Sequence, residues 1–347
     1  MCILNPKHIT GRIYPIICLF LFIFSGKIQA TEINMPPPYT WKNLKYSYDV
    51  PQNTYLKVMI VSTRSIDHNG LNYEINHGMD RNTSRTFFLA CFFEDSVALV
   101  PQKSLYNGLV QMSKTKNFLM YVNGHGKNIR NMVSRGYELS INYEVNLILF
   151  DWPTNNILLG STATNAWMSA PNFSKTMLDL AVIKEKLIPE KAISVVFHSM
   201  GALVLKAFTG NPALGWIKTP FIDNIIVSAG AAPARNHQKW LSKLNIQKNL
   251  YITYNKNDRT LRGAALLMME KMMGHGPLNT TAKNAEYIDF TSNAGLEHNY
   301  FLNRNNLHNR NPEIEIFFHH VFNGRNITIE DSYMHENDAA SIELYGY

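Results

Sequence analysis

The chain has 347 residues, of which 46% are hydrophobic and 17% charged, and this balance describes a globular protein that can bury a full core. Its 19 glycines and 15 prolines exclude a collagen-like or low-complexity chain. The 33 basic and 26 acidic residues give a net charge of +7, which would suit a polyanionic partner such as nucleic acid or an anionic membrane.

Residues 1–30 are typical of a secretory signal peptide. Lys7 and Arg12 precede an apolar run at residues 13–24, and the small residue Ala30 ends the segment. The run is shorter than the ~20 residues that span a bilayer as a helix, and an uncleaved signal anchor is the alternative. Cleavage would remove three basic residues and no acidic ones, leaving 30 against 26, or +4. We therefore expect a periplasmic or secreted protein, whose membrane contact is limited to this segment if it is retained.

An α/β domain is predicted for residues 56–322, after a polar, proline-rich lead-in segment at residues 31–55. Apolar runs that suit strands alternate there with amphipathic stretches. Runs without polar alternation indicate strands buried on both faces of a mostly parallel sheet, with helices on either side. The predicted strands are residues 56–62, 86–93, 117–122, 145–150, 193–197, 224–228, 250–254 and 286–290. Apolar residues at helical spacing in residues 173–187 predict one of the helices.

Cys91 would be the single cysteine of the mature chain, so we expect no internal disulfide. It lies inside the predicted strand at residues 86–93. Because no residue near it in the sequence could activate its thiol, we interpret it as a small buried hydrophobic residue rather than a nucleophile.

Residues 193–204 place a serine between a strand and a helix. The strand leads into His-Ser-Met-Gly, and a helical apolar pattern follows. In a nucleophile elbow the serine has a strained backbone, and its neighbours must be small because strand and helix nearly touch. Gly201 meets this requirement, whereas Phe197, two residues before the serine, does not. Ser199 is the predicted nucleophile, and a serine that merely begins a helix is the alternative.

A serine nucleophile needs a general base and an acid that orients the base, and in one known arrangement the chain order is Ser, acid, His. Asp258 follows the predicted strand at residues 250–254, and Asp289 lies at the end of the next one. We favour Asp258, because Asp289 shares its strand end with the loop that must carry the base. A plain turn-forming role for Asp258 is the alternative.

His298, in the loop after the last predicted strand, is the predicted base. His275, in a Gly-His-Gly loop before that strand, is a weaker second choice. His308 lies in a stretch rich in Asn and Arg and is expected to be solvated. His319 and His320 are adjacent on a predicted helix, so their side chains diverge by about 100° and suit neither a triad nor one metal ion.

An oxyanion hole needs two backbone N–H groups that point at the developing negative charge. The first predicted donor is the N–H of Met200, which follows the nucleophile. The second is the N–H of His125, in the glycine-rich turn at residues 123–128 that follows the predicted strand at residues 117–122. An ordinary turn is the alternative for this segment.

Two further segments follow the predicted acid. Residues 266–273 are rich in methionine, and they form either a cap for an apolar acyl group or, as we favour, part of the core. Residues 323–347 are polar and acidic and are predicted to be a C-terminal tail.

These blocks resemble the α/β-hydrolase superfamily, and most closely a bacterial branch known only as alpha/beta hydrolases of unknown function. The matching blocks occur in the family's order at residues 61–64, 122–126, 149–153, 198–201, 254–259 and 298–301. The resemblance implies an α/β-hydrolase fold with Ser199 as nucleophile, Asp258 as acid and His298 as base. Asn123 departs from the family's usual His, and Phe197 from its usual small residue.

The sequence thus predicts a serine hydrolase, of the carboxylesterase or lipase type, that cleaves a small-molecule or lipid ester without a cofactor. The alternative, favoured by Phe197 and Asn123, is a catalytically impaired hydrolase-like protein that binds a ligand or partner. The basic residues are scattered rather than interleaved with aromatic residues, so no nucleic-acid partner is expected. The sequence also lacks metal-ligand spacing and a phosphate-binding glycine-rich loop.

Overall fold

The computed structural model describes residues 41–69, 72–79, 84–126, 128–154, 159–278, 280–302, 311–327, 334–337 and 341–344. They belong to one compact unit, Trp41–Tyr347. The predicted signal segment lies outside the described residues. Within the described part of the chain, no helix is both long enough and apolar enough to cross a membrane.

A large, mostly parallel sheet organises the fold. The strands, in chain order, are β1 (Asn43–Tyr46), β2 (Leu56–Ser62), β3 (Arg64–Asn69), β4 (Asn72–Met79), β5 (Thr86–Phe93), β6 (Ser96–Gln102), β7 (Phe118–Val122), β8 (Asn146–Asp151), β9 (Ile193–His198), β10 (Ile222–Ser228), β11 (Gln247–Tyr254), β12 (Glu286–Asp289), β13 (Met334–Asn337) and β14 (Ser341–Leu344). The sheet has the order β1-β6-β5-β2-β8-β7-β9-β10-β11-β12-β14-β13, and β3 and β4 form a separate antiparallel pair. Within the large sheet, β5 pairs antiparallel with β2 and β6, β13 pairs antiparallel with β14, and the other pairs are parallel.

All eight predicted strands are present in the sheet. The bounds of β2 and β5 coincide with the predicted ones, and those of the other six differ by up to three residues at an end. The prediction succeeds because the central strands are buried on both faces, so that their sequences are continuous apolar runs. In β7, for example, all five residues are buried.

Helices cover both faces of the sheet. They are α1 (Leu105–Leu109), α2 (Ile129–Asn142), α3 (Leu159–Lys186), α4 (Gly201–Thr209), α5 (His237–Leu241), α6 (Arg259–Met268), α7 (Thr291–Ala294) and α8 (Pro312–Phe322). Buried residues of α1, α3 and α4 share one core with Met59 of β2, whereas those of α2, α6 and α8 share the other core with Ile60. Neighbouring strand residues point to opposite faces, so one strand contributes to both cores. The helix predicted at residues 173–187 is the second half of α3, which begins earlier and contains Pro171.

The sheet takes strands from outside the predicted domain limits of 56 and 322. β1 lies in the predicted lead-in segment and pairs with β6, and β14 lies in the predicted acidic tail and pairs with β12. β3, β4 and β6 lie within those limits but were not among the predicted strands. Except for β6, these strands lack a long apolar run, so the periodicity of their sequences does not reveal them.

Candidate active site

Four of the predicted site segments follow parallel strands of the sheet. The turn at residues 123–126 follows β7, Ser199 follows β9, Asp258 follows β11 and His298 lies beyond β12. Because parallel strands end at the same edge of a sheet, this topology collects the four segments at the carboxyl edge, where ligands bind in α/β proteins.

Ser199 occupies a strained turn between β9 and α4. Its φ angle of 54° lies in the left-handed region, which costs a non-glycine residue free energy. The turn is held from the neighbouring strand: the Ser199 N–H donates to the Ser228 carbonyl at 3.1 Å, and the Ser199 carbonyl accepts from the Ala231 N–H at 2.8 Å. Such strain is concentrated at functional sites in proteins. Ser199 therefore has the backbone expected of a nucleophile elbow.

Glycine is required on two sides of this turn. A Cβ atom at Gly201 would lie 2.6 Å from the Val122 carbonyl oxygen, so the start of α4 packs closely against the end of the neighbouring strand β7. A Cβ atom at Gly124 would lie 2.7 Å from the Cβ of Ser199. The turn that follows β7 is thus packed directly against the serine.

Phe197, the large residue two positions before Ser199, packs into the core of the protein. It pairs in register with Val122 of β7 and Val227 of β10, and its buried ring packs edge-on against Phe173 of α3 at 5.4 Å between centroids. The ring of Phe197 is therefore accommodated in the core between the sheet and α3, and Ser199 has the left-handed backbone of the elbow even with a large residue at position 197.

Asp258 and His298 are joined by a short hydrogen bond. The Asp258 Oδ2 lies 2.6 Å from the His298 Nδ1, in a pair that is nearly inaccessible to solvent. The other carboxylate oxygen, Oδ1, accepts the N–H of Leu261 at 2.9 Å and so caps the N-terminus of α6. Since both oxygens are engaged, the carboxylate cannot rotate away from the imidazole without breaking the helix cap.

Asp289, the rival acid, makes a different set of contacts. Its Oδ2 lies 2.6 Å from the Nζ of Lys256, and its Oδ1 accepts from the backbone N–H of Thr291 at 2.9 Å and from the Thr291 hydroxyl. The structure therefore brings Asp258, and not Asp289, to His298.

The other histidines considered from the sequence are not the partner of the Asp258 carboxylate. The His275 Nε2 lies 3.1 Å from the carbonyl oxygen of Asp258, so this ring supports the acid's turn rather than its carboxylate. His319 and His320 lie on α8, with ring centroids 6.5 Å apart. His308 lies outside the described residues.

His198 links the candidate base to the elbow. Its ring lies 4.9 Å, between centroids, from the ring of His298, and its Nδ1 lies 3.4 Å from the hydroxyl of Tyr121. Burial raises the pKa of Tyr121 to about 12, so this hydroxyl stays neutral. His298 thus lies beside the residue that precedes Ser199. No hydrogen bond within 3.5 Å joins Ser199 to His298 among the described residues, and such bonds are often long until substrate binds.

Asn255 is a site residue that the sequence did not single out. It is fully buried, and its Nδ2 donates to the carbonyls of Gly295 and Glu297 at 3.1 and 3.0 Å, while its Oδ1 accepts the N–H of Asn257 at 2.9 Å. One amide thereby joins the turn that carries Asp258 to the loop that carries His298. The sequence feature that could have identified Asn255 is its position in the block at residues 254–259, three residues before Asp258.

Asn123 anchors the turn that faces Ser199. Its carbonyl accepts from the Trp152 Nε1 at 3.0 Å, and its buried amide donates to the hydroxyl of Thr154 at 3.3 Å. Gly124, rather than His125, is the residue pressed against the serine, and the His125 Nδ1 lies 2.9 Å from the hydroxyl of Thr162. Met200, the predicted first donor, is the N-cap of α4, where helix N–H groups favour negative charge.

Two blocks of the resemblance meet in a buried ion pair next to this turn. The Arg64 Nε lies 2.9 Å from both carboxylate oxygens of Asp151, and the Arg64 Nη2 donates to the carbonyl of Trp152 at 2.9 Å. The two side chains are 1% and 0% exposed. The pair joins the last residue of β8 to the first residue of β3.

Cys91 is buried in β5, in agreement with its interpretation as a small hydrophobic residue. Burial raises the pKa of its thiol to about 11, so that the reactive thiolate is scarce at neutral pH.

The family model for "Alpha/beta hydrolase of unknown function (DUF900)" matches residues 101–314, which is more than half of the chain. No curated protein matches the chain. Among solved structures, an uncharacterized protein from Bacillus cereus ATCC 10987 is 12% identical over 59% of this chain and has a TM-score of 0.33, and the match spans 58% of the Bacillus chain. The family match confirms the predicted α/β-hydrolase fold. The chain belongs to this family of alpha/beta hydrolases.

Proposed function

We propose that the protein is a serine hydrolase that cleaves carboxylic esters through Ser199, His298 and Asp258. The observation that carries the proposal is the 2.6 Å contact between the Asp258 carboxylate and the His298 imidazole, beside a serine in a left-handed elbow. A carboxylate at Nδ1 holds the proton on that nitrogen and leaves Nε2 free to accept one. That is the protonation state that a general base for Ser199 needs.

In the proposed reaction the Ser199 Oγ attacks the ester carbonyl, and its proton passes to the Nε2 of His298. The tetrahedral intermediate collapses as the bond to the alcohol oxygen breaks, and the imidazolium donates its proton to the departing alcohol. A water molecule, deprotonated by the same imidazole, then attacks the acyl-enzyme; the bond to the Ser199 Oγ breaks, the imidazolium returns its proton to that oxygen, and the acid is released. Asp258 stabilises the imidazolium in both steps.

The backbone N–H groups of Met200 and His125 are the proposed oxyanion donors. The position of Met200 at the N-terminus of α4 and the packing of Gly124 on Ser199 support this assignment. Preorganised donors of this kind are often the largest single contribution to acyl-transfer catalysis.

A fluorophosphonate probe tests the proposal directly, because it forms a covalent bond only with an activated serine. We expect the wild-type protein to be labelled and both Ser199→Ala and His298→Ala to remain unlabelled. Ser228→Ala is the matched control: Ser228 ends the neighbouring strand β10, and its loss should leave labelling intact. Equal labelling of wild type and Ser199→Ala would refute the assignment of the nucleophile. A folded wild-type protein that is never labelled would favour the hydrolase-like binding protein instead.

Asn255→Ala is expected to lower kcat for a p-nitrophenyl ester by about 100-fold with little change in KM, because it releases the loop that positions His298. The matched control is Asn284→Ala. The amide of Asn284 also bridges two carbonyls, of Leu241 and Leu244 at 3.0 and 3.2 Å, but it lies before β12, at the opposite edge of the sheet. We expect both variants to lose about 1–3 kcal/mol of stability. If both lose activity equally, Asn255 has no positioning role.

We also propose that the protein is exported, on the basis of the signal-like sequence at residues 1–30. N-terminal sequencing of the protein purified from its native host would test this proposal. A mature N-terminus near residue 31 is expected, and an intact Met1 on a cytosolic protein would contradict it.

A further inference from the structure

The end of α6 exposes four consecutive apolar side chains. We call Leu266, Leu267, Met268 and Met269 the α6 patch, and their exposed fractions are 63%, 58%, 47% and 92%. The helix is held to the core by its other side, where Leu261 and Ala265 pack. We favoured core packing for the whole methionine-rich segment at residues 266–273. Met272 and Met273 are buried as expected, whereas the four residues of the α6 patch are exposed.

Met269 has a backbone conformation that its side chain does not favour. It ends the helix in the left-handed region, with φ 50° and ψ 33°, and its N–H donates to the Ala265 carbonyl. Glycine is the usual residue at this position, because a side chain there is strained. The Met269 side chain gains almost no burial within the fold in return. The fold thus keeps a strained apolar residue in solvent at the end of the helix, where glycine would be unstrained.

Basic side chains flank the patch. Arg262, Lys271 and Lys256 line an open groove with Met269, and the one carboxylate in that lining is Glu270. Arg259 is exposed one turn before Arg262. Lys256 is paired with Asp289, but none of the described residues forms an ion pair with Arg259, Arg262 or Lys271. Apolar side chains next to unpaired cations are the combination that binds an anionic lipid surface.

The patch is also directly connected to the candidate active site. Asp258, which contacts His298, is the N-cap of the ten-residue helix that ends in the patch. Met269 also lines one groove with Lys256, which follows the carboxyl end of β11, and with His275, whose ring contacts the Asp258 carbonyl, so a lipid surface bound at the patch would lie near the candidate site residues.

We propose that the α6 patch docks this protein on an anionic lipid surface, with its apolar side chains in the interface and Arg262 and Lys271 against the head groups. This docking goes beyond the proposed ester hydrolysis and does not depend on it. It also differs from membrane contact through the N-terminal segment.

The test records insertion of the patch itself. The full chain carries Cys2→Ser and Cys18→Ser together with Ser199→Ala, so that hydrolysis plays no part, and an environment-sensitive fluorophore is attached through Met269→Cys. Cys91 is buried and is not expected to react. Vesicles of phosphatidylglycerol and phosphatidylcholine should shift the fluorophore's emission to shorter wavelength, and pure phosphatidylcholine should not. The control carries the same fluorophore through Trp216→Cys. Trp216 is 68% exposed and precedes the start of β10, so it lies at the amino edge of the sheet, opposite the candidate site. A fluorophore there should show no emission shift.

Two sets of variants separate the contributions. Arg262→Gln and Lys271→Gln should each weaken the affinity for anionic vesicles by about fivefold, as expected for one cation at an anionic surface. The double variant Met269→Gly, Leu266→Gln, which carries no fluorophore, should show a smaller vesicle-bound fraction in flotation. The glycine at position 269 relieves backbone strain, so the fold should be at least as stable as that of the wild type. Trp216→Gln should leave binding unchanged.

Three outcomes would overturn the proposal. One is an emission shift that is equal at positions 269 and 216. Another is a shift that does not depend on phosphatidylglycerol. The third is self-association, seen in sedimentation velocity, that Met269→Gly abolishes while vesicle binding stays unchanged, which would assign the patch to a second copy of the chain.

Discussion

Asp258→Asn is expected to lower kcat for ester hydrolysis by about 10⁴-fold while the protein remains as stable as the wild type. The asparagine amide would face the His298 Nδ1 and donate to it, so that the imidazole proton moves to Nε2 and the ring can no longer accept the proton of Ser199. Stability should persist because asparagine caps a helix as well as aspartate does, and the Oδ1 would still accept the Leu261 N–H. Turnover of a p-nitrophenyl ester and thermal unfolding of the same preparation measure the two effects.

Two further variants control this experiment. Asp258→Ala should lose the same activity and, in addition, about 1 kcal/mol of stability, because the cap of α6 is removed. Asp289→Asn changes the neighbouring strand-end carboxylate, which contacts Lys256 and Thr291, and should retain most of the activity. An Asp258→Asn enzyme within tenfold of the wild-type kcat would remove Asp258 from the proposed triad.

Arg64→Met is expected to destabilise the protein by about 3–5 kcal/mol, because it leaves the carboxylate of Asp151 buried without its cation. The cost arises from the unpaired charge more than from the lost attraction, since water cannot reach the 0%-exposed carboxylate. Combining Arg64→Met with Asp151→Leu removes both charges, and this double variant should be more stable than either single variant. Urea unfolding with a common m value would measure the three differences.

The surface pair between Lys42 and Asp95 is the control for that cycle. The Lys42 Nζ and the Asp95 Oδ2 are 3.0 Å apart, against 2.9 Å between Arg64 and Asp151, but the side chains of the surface pair are 75% and 49% exposed. Lys42→Met should leave the urea midpoint unchanged, because water screens the pair. If Arg64→Met were as harmless as Lys42→Met, the buried pair would not stabilise the fold.

The same ion pair connects stability to the candidate site. Arg64 also donates to the Trp152 carbonyl, and the Trp152 indole N–H donates to the carbonyl of Asn123 in the turn against Ser199. Loss of Asp151 or Arg64 should therefore loosen the proposed oxyanion turn as well as the sheet. This chain of contacts joins three separate sequence blocks, at residues 61–64, 149–153 and 122–126.

The central strands could be predicted from the sequence because burial on both faces leaves a local pattern. β2 and β5 are largely apolar segments with the predicted bounds. β1 and β14 were missed for the opposite reason. They are four-residue strands that add to the outer parts of the sheet, and their pairing with β6 and β12 depends on backbone groups that distant residues offer.

The elbow was predictable for a similar reason, since its steric requirements fall on residues next to one another in the chain. Gly201 follows the serine by two positions, and a side chain there would collide with the carbonyl of Val122. Phe197 broke the expected pattern, yet the space for its ring is provided by Phe173 of α3, which is distant in sequence. Whether a large residue is tolerated before an elbow is therefore a question of tertiary packing.

Local patterns in the amino-acid sequence predicted an α/β fold, its central strands and a short set of candidate site residues, and the resemblance in motif order implied the α/β-hydrolase fold that the family match confirms. The contact of Asp258 with His298 was favoured from the sequence, but it depends on side chains that are distant in the chain. Asp289 is the last residue of β12, and Asp258 lies four residues after the end of the adjacent parallel strand β11, so both carboxylates belong to the same edge of the sheet. The difference lies in their partners, since the Leu261 N–H and the His298 imidazole hold one carboxylate and the Lys256 ammonium and Thr291 hold the other. Side-chain direction at a strand end is set by such contacts, and they join residues up to 40 positions apart.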